Sequence, residues 1–245
     1  MALLRAERLS KSFYLHGQPR LILHEATFSL EDGCFACVIG PSGCGKSTFL
    51  ELLAGITVPD QGAIYYQDRE ITGRSGLLGY MPQDDLLFPW LCVVDNALLP
   101  VRAKGGDVAE GRKKIDELLP VFGLEQHATH LPYQLSGGLR QRVAFLRTCM
   151  TGSNVLLLDE PFASLDAITR TQLQQWLKDV STTLKLSIIL VTHDINEAIC
   201  LGDKIWVMSR NPGSFTTCVE IGEMERKEES SRLQKARELM ALVGV

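Results

Sequence analysis

The sequence predicts an α/β fold built on a mainly parallel sheet, and three observations predict it. Strand-like and helix-like segments alternate along much of the chain. The strand candidates Cys34–Ile39, Leu77–Met81, Val155–Leu158, Ile188–Thr192 and Lys204–Met208 are short, continuous apolar runs. Such runs suit strands covered by helices on both faces. Helical patterns follow at Lys46–Ala54, Gly137–Met150, Ala167–Leu184 and Ile195–Leu201.

Two stretches depart from this alternation. From about Leu3 to Glu31 apolar and polar residues alternate around the turn His16-Gly17-Gln18-Pro19, the pattern of an antiparallel strand pair, with Ala63–Gln67 joining it. Between Pro82 and about Gly152 the pattern turns helical, with Ile115, Leu118, Leu119 and Phe122 at helical spacing, as in a helical subdomain inserted at about 84–152. Past Gly222 the chain is polar, and Leu233, Ala236, Leu239, Met240 and Val243 suit one short amphipathic helix in a tail over 223–245.

Composition limits the function classes. At 245 residues the chain can bury a core without disulfides or metal staples. With 25 Lys+Arg against 29 Asp+Glu the net charge is -4, so no basic footprint points to nucleic acid. No apolar run is long enough to span a membrane, and the start MALLRAERLSKSF lacks the pattern of a secretory signal. A soluble chain is therefore expected. The seven cysteines are odd in number and scattered, as expected of core thiols in a reducing cytosol. Cys34 and Cys37 form a C-x-x-C pair, but they fall in a strand candidate, where residues three apart face opposite ways.

The strongest signal is Gly40-Pro41-Ser42-Gly43-Cys44-Gly45-Lys46-Ser47-Thr48, a full G-x-x-x-x-G-K-[ST] match after one strand and before a helix. Glycines without Cβ atoms let consecutive backbone N–H groups turn inward around phosphate oxygens, and the helix start adds partial positive charge. Lys46 is expected to reach the β- and γ-phosphates, Ser47 to ligate Mg²⁺, and Thr48 to contact the α-phosphate side. Cys44, a thiol at a helix start, is expected to have a lowered pKa and to be the site where alkylation blocks activity.

Val155–Leu158 runs into Asp159-Glu160. Asp159 at a strand tip can hold Mg²⁺ through water, and Glu160 is then placed to polarise an attacking water. These features together predict a P-loop nucleoside triphosphatase. Leu135-Ser136-Gly137-Gly138-Leu139-Arg140-Gln141-Arg142 adds a second anion-binding helix start, with Ser136 as N-cap. One bound nucleotide does not need two such starts. A head-to-tail dimer resolves this, Ser136, Gly137 and Gly138 closing on the γ-phosphate held by the partner.

With these motifs in order, and with Gln83 in GYMPQ, Ser164-Leu165-Asp166 and His193 in VTHD, the sequence resembles the ATP-binding subunits of ABC transporters from Leu3 to about Ile221. The resemblance implies a RecA-like core over 1–222. It also implies that Gln83 touches the metal or the attacking water, that Asp166 crosses a dimer interface, and that His193 hydrogen-bonds the γ-phosphate beside Glu160. An aromatic residue near the N-terminus stacks on adenine in this family. Phe13 is the choice here, with Tyr14 the alternative. Leu139 departs from the family's usual Gln, which removes a side-chain contact to ribose while leaving the helix start intact.

In this family the region after Gln83 receives a cytoplasmic helix of the membrane partner, which makes Phe88, Pro89, Trp90 and Leu91 the expected docking surface. LLFPWLCVVDNALLP and LLLDEPFASLDAITRTQLQ resemble most the importer branch for nitrate, sulfonates and taurine, or thiamine-precursor pyrimidines. The resemblance implies a homodimer on the cytoplasmic face of the membrane. It serves a separate permease and, indirectly, a binding protein. The large C-terminal regulatory domain of sugar-importer ATPases is not expected after Gly222. The alternative is an ABC ATPase acting on ribosomes or DNA, against which the acidic balance and the lack of a second cassette argue. A P-loop kinase or GTPase would leave LSGG without a role, and no N-K-x-D guanine motif is present.

Overall fold

The elements run in the order β1 (Ala2–Leu15), β2 (Gln18–Glu31), β3 (Phe35–Ile39), α1 (Lys46–Leu53), β4 (Gln61–Tyr66), β5 (Arg69–Glu70), β6 (Gly79–Met81), α2 (Val93–Ala103), α3 (Val108–Phe122) and α4 (Gly137–Cys149). They continue with β7 (Val155–Asp159), α5 (Ala167–Thr183), β8 (Ser187–Val191), α6 (Ile195–Leu201), β9 (Lys204–Met208), β10 (Phe215–Glu220), α7 (Glu223–Lys227) and α8 (Glu229–Val243). This computed structural model describes residues 2–15, 17–210 and 212–243. His16, in the turn expected between β1 and β2, lies outside the described residues. The chain divides into two compact units, one formed by the residues up to Leu77 and from Leu186 on, the other by Leu78–Lys185.

In the first unit, β1 and β2 form the expected antiparallel pair, and β4 and β5 extend it to a sheet of order β2-β1-β4-β5. Leu4 faces Leu30, and Ala6 lies between Phe28 and Ile64, so alternate residues of all three strands enter one buried face. The register slips between Ala6 and Leu9. There Arg8 and Glu25 take left-handed backbone angles, φ 51 and φ 46, and pair with each other.

The parallel part of this unit sets β3 between β8 and β9. All five residues of β3 and of β8 are buried, which is why both read as unbroken apolar runs. β10 pairs antiparallel with β9 and went unpredicted, since FTTCVE alternates half-buried and exposed positions and carries no continuous apolar signal. Phe28, Phe49, Trp206 and Phe215 pack edge to face or tilted, with centroids 4.8 to 5.6 Å apart. That cluster ties α1 to β2, β9 and β10.

The terminal helix forms, but its apolar face is narrower than expected. Ala236 and Leu239 are buried, while Leu233 and Met240 are exposed. α7 precedes it and was not expected.

In the second unit β6 and β7 pair in parallel. β6 is shorter than the apolar run suggested, and Leu77 lies outside it, exposed. A Cβ on Gly79 would stand 2.5 Å from Leu156 Cδ2, so a larger residue here would push that side chain aside. The helices between 84 and 152 lie in this unit together with β6, β7 and α5. α3 starts at Asp107, whose carboxylate accepts from the N–H groups of Ala109 and Glu110, and ends at Gly123 with φ 63. Its apolar stripe buries Ile115, Leu119 and Phe122, with Leu118 half-buried at the margin. Phe122, Phe145 and Trp176 meet at 5.5 to 5.8 Å, and the Arg142 guanidinium lies 5.0 Å from the Trp176 ring centroid. Among the described residues no helix is long and apolar enough to cross a membrane.

Candidate functional site

In the first unit the buried strand β3 ends at Ile39 and α1 begins at Lys46, and Gly40–Gly45 makes the turn between them. Gly45 caps α1 in the left-handed region, φ 104, and Gly43 takes φ 75, angles that need glycine at both places. The loop closes on itself, with Cys44 N–H donating to Pro41 O at 3.3 Å and Phe49 N–H to Gly45 O at 2.8 Å. Lys46 is 7% exposed, and its ammonium donates to Gly40 O at 2.8 Å and Pro41 O at 3.0 Å. The charge is thus held over the mouth of the loop by two carbonyls, where an incoming anion can replace them. Ser42, Gly43 and Ser47 are exposed and Thr48 is half-buried.

β8 ends beside this loop, and His193 follows it. Thr192 Oγ1 accepts from Asp194 N–H at 3.0 Å, and Asp194 caps α6 by accepting from Asn196 and Glu197 N–H at 2.9 and 3.2 Å. Gly40, Pro41, Ser42 and His193 line a cavity of about 470 Å³ with Met240 and Val243 of α8. The phosphate loop and His193, 145 or more residues apart in sequence, therefore come together. The part α8 plays in that wall carried no sequence signal beyond its amphipathic pattern.

Cys44 differs from expectation. It is 2% exposed, and burial pushes its thiol up, against a smaller downward pull from Lys46. The helix start is overruled because the side chain points inward beneath Gly40, not toward solvent, where a thiolate would be stable. Cys37 is buried as a core thiol is, but Cys34, just before β3, is half-buried and Cys218, on the alternating strand β10, is exposed, so the cysteines are not all core thiols. Phe13 faces Arg20 across the strand pair, with Lys11 Nζ 5.5 Å from its ring centroid, and Tyr14 beside it is exposed.

In the second unit Asp159 is buried at the end of β7. Glu160 follows with φ 45, a left-handed angle that side-chain-bearing residues seldom adopt and that clusters at functional sites. Gln83, past the end of β6, is exposed.

Ser136 caps α4 as expected, accepting from Leu139 N–H at 3.3 Å, so the helix start is intact with Leu139 in place. Cβ atoms on Gly137 and Gly138 would meet Leu165 Cδ2 at 3.2 Å and Thr169 Cγ2 at 3.0 Å. Gly137 and Gly138, the glycines of the LSGG signature, therefore lie against the start of α5. Asp166 caps that helix through Ile168 and Thr169 N–H at 3.1 and 3.0 Å, and the Thr169 N–H holds its carboxyl below the usual range.

Sequence reading missed what holds the stretch after Gln83. Arg140 Nε donates to Asp85 Oδ2 at 3.1 Å, and Arg147 donates to Leu86 O and Asp85 O at 2.7 and 2.6 Å. The two arginines lie seven residues apart, two turns along one face of α4, and that spacing was the available signal. Asn96, fully buried in α2, accepts from Phe88 N–H at 2.8 Å and donates to Leu91 O at 2.8 Å. Held so, Phe88 and Trp90 project together, 42% and 70% exposed with rings 5.2 Å apart. Pro89 is exposed and Leu91 half-buried.

Residues 23–163 match the family model described as ABC transporter. The taurine import ATP-binding protein TauB of Pseudomonas aeruginosa strain PAO1 is 41% identical over 212 residues, covering 86% of this chain and 81% of TauB. The formylaminopyrimidine import ATP-binding protein ThiZ of Halalkalibacterium halodurans is 37% identical, with 86% and 82% covered. The aliphatic sulfonates import ATP-binding protein SsuB of Bacillus subtilis is 39% identical, with 84% and 79% covered. Among solved structures, the dimeric post-hydrolysis state of the ATP-binding cassette MJ0796, bound to ADP and Pi, superposes with a TM-score of 0.76 at 28% identity, covering 89% of this chain and 99% of that one.

Proposed function

Since the chain belongs to the ABC transporter family and is an ATPase of that kind, we propose that it drives a separate membrane permease importing a small solute of the taurine, sulfonate, nitrate or thiamine-precursor class. In this reading it acts as a head-to-tail homodimer at the cytoplasmic face of the membrane, with a solute-binding protein upstream. The observation that carries the reading is the glycine-opened, Ser136-capped start of α4 in the same chain as the Lys46 phosphate loop. Two such anion-binding starts have a use when the loop of one copy and the signature of another enclose one nucleotide. The helices at about 84–152 then form the subdomain that carries the signature and the docking surface.

The donor set fits a resident Mg²⁺. Ser47, Asp159 and Gln83 offer hydroxyl, carboxylate and amide oxygens, the hard ligands that this ion prefers. When bound, the ion neutralises charge on the β- and γ-phosphates.

The chain's own residues do the rest. Gly40, Pro41, Ser42, Gly43, Cys44 and Gly45 present backbone to the phosphates, with Cys44 contributing main chain alone because its thiol is buried. Lys46 exchanges the carbonyls of Gly40 and Pro41 for β- and γ-phosphate oxygens, and Thr48 takes the α-phosphate side. Phe13, or Tyr14, stacks on adenine. Glu160 orients the attacking water and accepts its proton, while His193 donates to the γ-phosphate and Gln83 would touch the metal or that water. Ser136, Gly137 and Gly138 of the partner subunit close the site, and Asp166 of the partner subunit crosses beside it. Charge developing on the γ-phosphoryl oxygens thus meets Lys46 and a preorganised helix start, the arrangement that lowers such barriers most. The permease docks at Phe88, Pro89, Trp90 and Leu91.

The test is purification of the tagged chain from membranes in mild detergent. A six-helix permease in the eluate supports the reading. Recovery with ribosomes or DNA instead, and no membrane protein, contradicts it.

A further inference from the structure

The phosphate loop is gripped from two sides by chain that none of its motifs includes. On one side a Cβ at Gly45 would stand 2.8 Å from Leu23 Cδ2 and 3.4 Å from Ile22 O, both in β2. On the other, a Cβ at Gly40 would stand 2.7 Å from Met208 O at the end of β9. The turn from β9 to β10 completes the grip. It is closed by Ser209 N–H donating to Ser214 O at 2.8 Å and Ser214 N–H donating to Ser209 Oγ at 3.1 Å. Gly213 within it is fastened to β2 in both directions. Its N–H donates to Ile22 O at 2.8 Å, and its carbonyl accepts from His24 N–H at 2.9 Å. So fixed, Gly213 is pressed against the middle of the phosphate loop, where a Cβ would lie 2.0 Å from the backbone oxygen of Cys44.

We propose that Gly213 is a positioning residue for nucleotide: the β9–β10 turn is the template that sets the phosphate loop, and only glycine at 213 lets the two backbones meet. The loop has few other supports. Its glycines carry no side chains, and Cys44 is its only deeply buried anchor besides Lys46. Cys44 is the residue whose carbonyl Gly213 abuts. A carbonyl displaced there carries with it the peptide that presents the Gly45 N–H to phosphate. Since Cβ atoms do not come within 3.0 Å of such an atom, a methyl at 213 moves one backbone by at least 1 Å. Losing a backbone hydrogen bond to a charged phosphate costs about tenfold to a hundredfold in affinity.

The inference rests on the loop's binding nucleotide, and both are tested together by measuring Kd for ATP and ADP, with thermal stability, on the wild-type chain, Gly213→Ala and Gly202→Ala. Gly202 serves as the control because it too is confined in the same unit, though less tightly, a Cβ there meeting Ala198 O at 2.7 Å and Cys37 Sγ at 3.1 Å, and the N–H of its neighbour Asp203 donates to Phe35 O at the start of β3 rather than at the loop end. The expected result is a rise in Kd of about 10- to 100-fold for both nucleotides in Gly213→Ala. Gly202→Ala should lose stability but bind within about twofold of wild type by the same reasoning. Wild-type Kd in Gly213→Ala overturns the inference and leaves the nucleotide reading standing. Equal weakening in both variants overturns it too, since the effect is then general. A wild-type chain that binds neither nucleotide overturns both. Amide exchange on the wild-type chain needs no variant and covers a Gly213→Ala that fails to fold. The inference requires nucleotide to slow exchange at Gly213 and His24 N–H as well as in the loop, and protection confined to residues 40–48 contradicts it.

Discussion

Asn96→Ala is expected to loosen the loop over Phe88–Leu91 by an amount that follows from its bonds. The amide makes one bond as acceptor, from Phe88 N–H, and three as donor, to Leu91 O at 2.8 Å and to Phe88 O and Cys92 O at 3.2 Å each. Two of the four groups keep a partner when the side chain is cut back. Phe88 O still accepts from Leu91 N–H at 3.1 Å, and Cys92 O from Asn96 N–H at 2.8 Å. Phe88 N–H and Leu91 O lose theirs. An unsatisfied buried group costs about 1–3 kcal/mol, and the partial exposure of Phe88 and Leu91 puts both at the low end. The sum is about 2–3 kcal/mol. Urea unfolding at unchanged slope should show that loss in the midpoint, and acrylamide should quench Trp90 differently once its loop is released. A loss below about 0.5 kcal/mol with unchanged quenching would refute the reasoning, because solvent would then be satisfying groups assigned here to Asn96.

Other outcomes follow from the same structure. At neutral pH maleimide should modify exposed Cys218 well before Cys44, and Cys149, whose thiol burial pushes up to about 12, should not react; mass spectrometry of the timed digest decides. Ser136→Ala should cost about 0.5 kcal/mol of stability, the low end for a cap because its bond is long, yet lower ATPase activity far more if Ser136 meets the partner's nucleotide. The Glu31–Lys204 bond at 2.7 Å lowers the Glu31 pKa, so its contribution is full above the ordinary glutamate value and lost as pH falls through the lowered one. Lys204→Met should therefore bring the Tm measured at about pH 4 closer to that at about pH 7, through a neutral-pH loss of less than about 1 kcal/mol, as both groups are partly exposed.

Legibility in the sequence tracked burial and local chemistry. β3, β7 and β8 were readable because strands covered on both faces must be apolar throughout, and the cap at Ser136 because capping is a matter of a few neighbouring residues. β10 was not readable, since every second residue faces solvent and its identity as a strand comes from pairing with β9. In the site, the phosphate loop and signature could be named from spacing alone. The supports could not. Gly213, Asn96 and Arg147 act on backbone groups, which have no letter in the sequence, and Arg140 reaches a carboxylate 55 residues away. Cys44 shows the opposite error: its place at a helix start was visible, but the inward direction of its side chain was not.

The central claim, that two copies enclose ATP between phosphate loop and signature, is tested most directly by light scattering on Glu160→Gln with and without ATP. The left-handed backbone at Glu160 is compatible with either side chain, so the substitution removes the proton acceptor and leaves the nucleotide contacts. A monomer is expected without ATP and a stable dimer with saturating Mg-ATP, reverting when Ser136 is also replaced by a bulky residue. A Glu160→Gln protein that binds ATP and stays monomeric would contradict it.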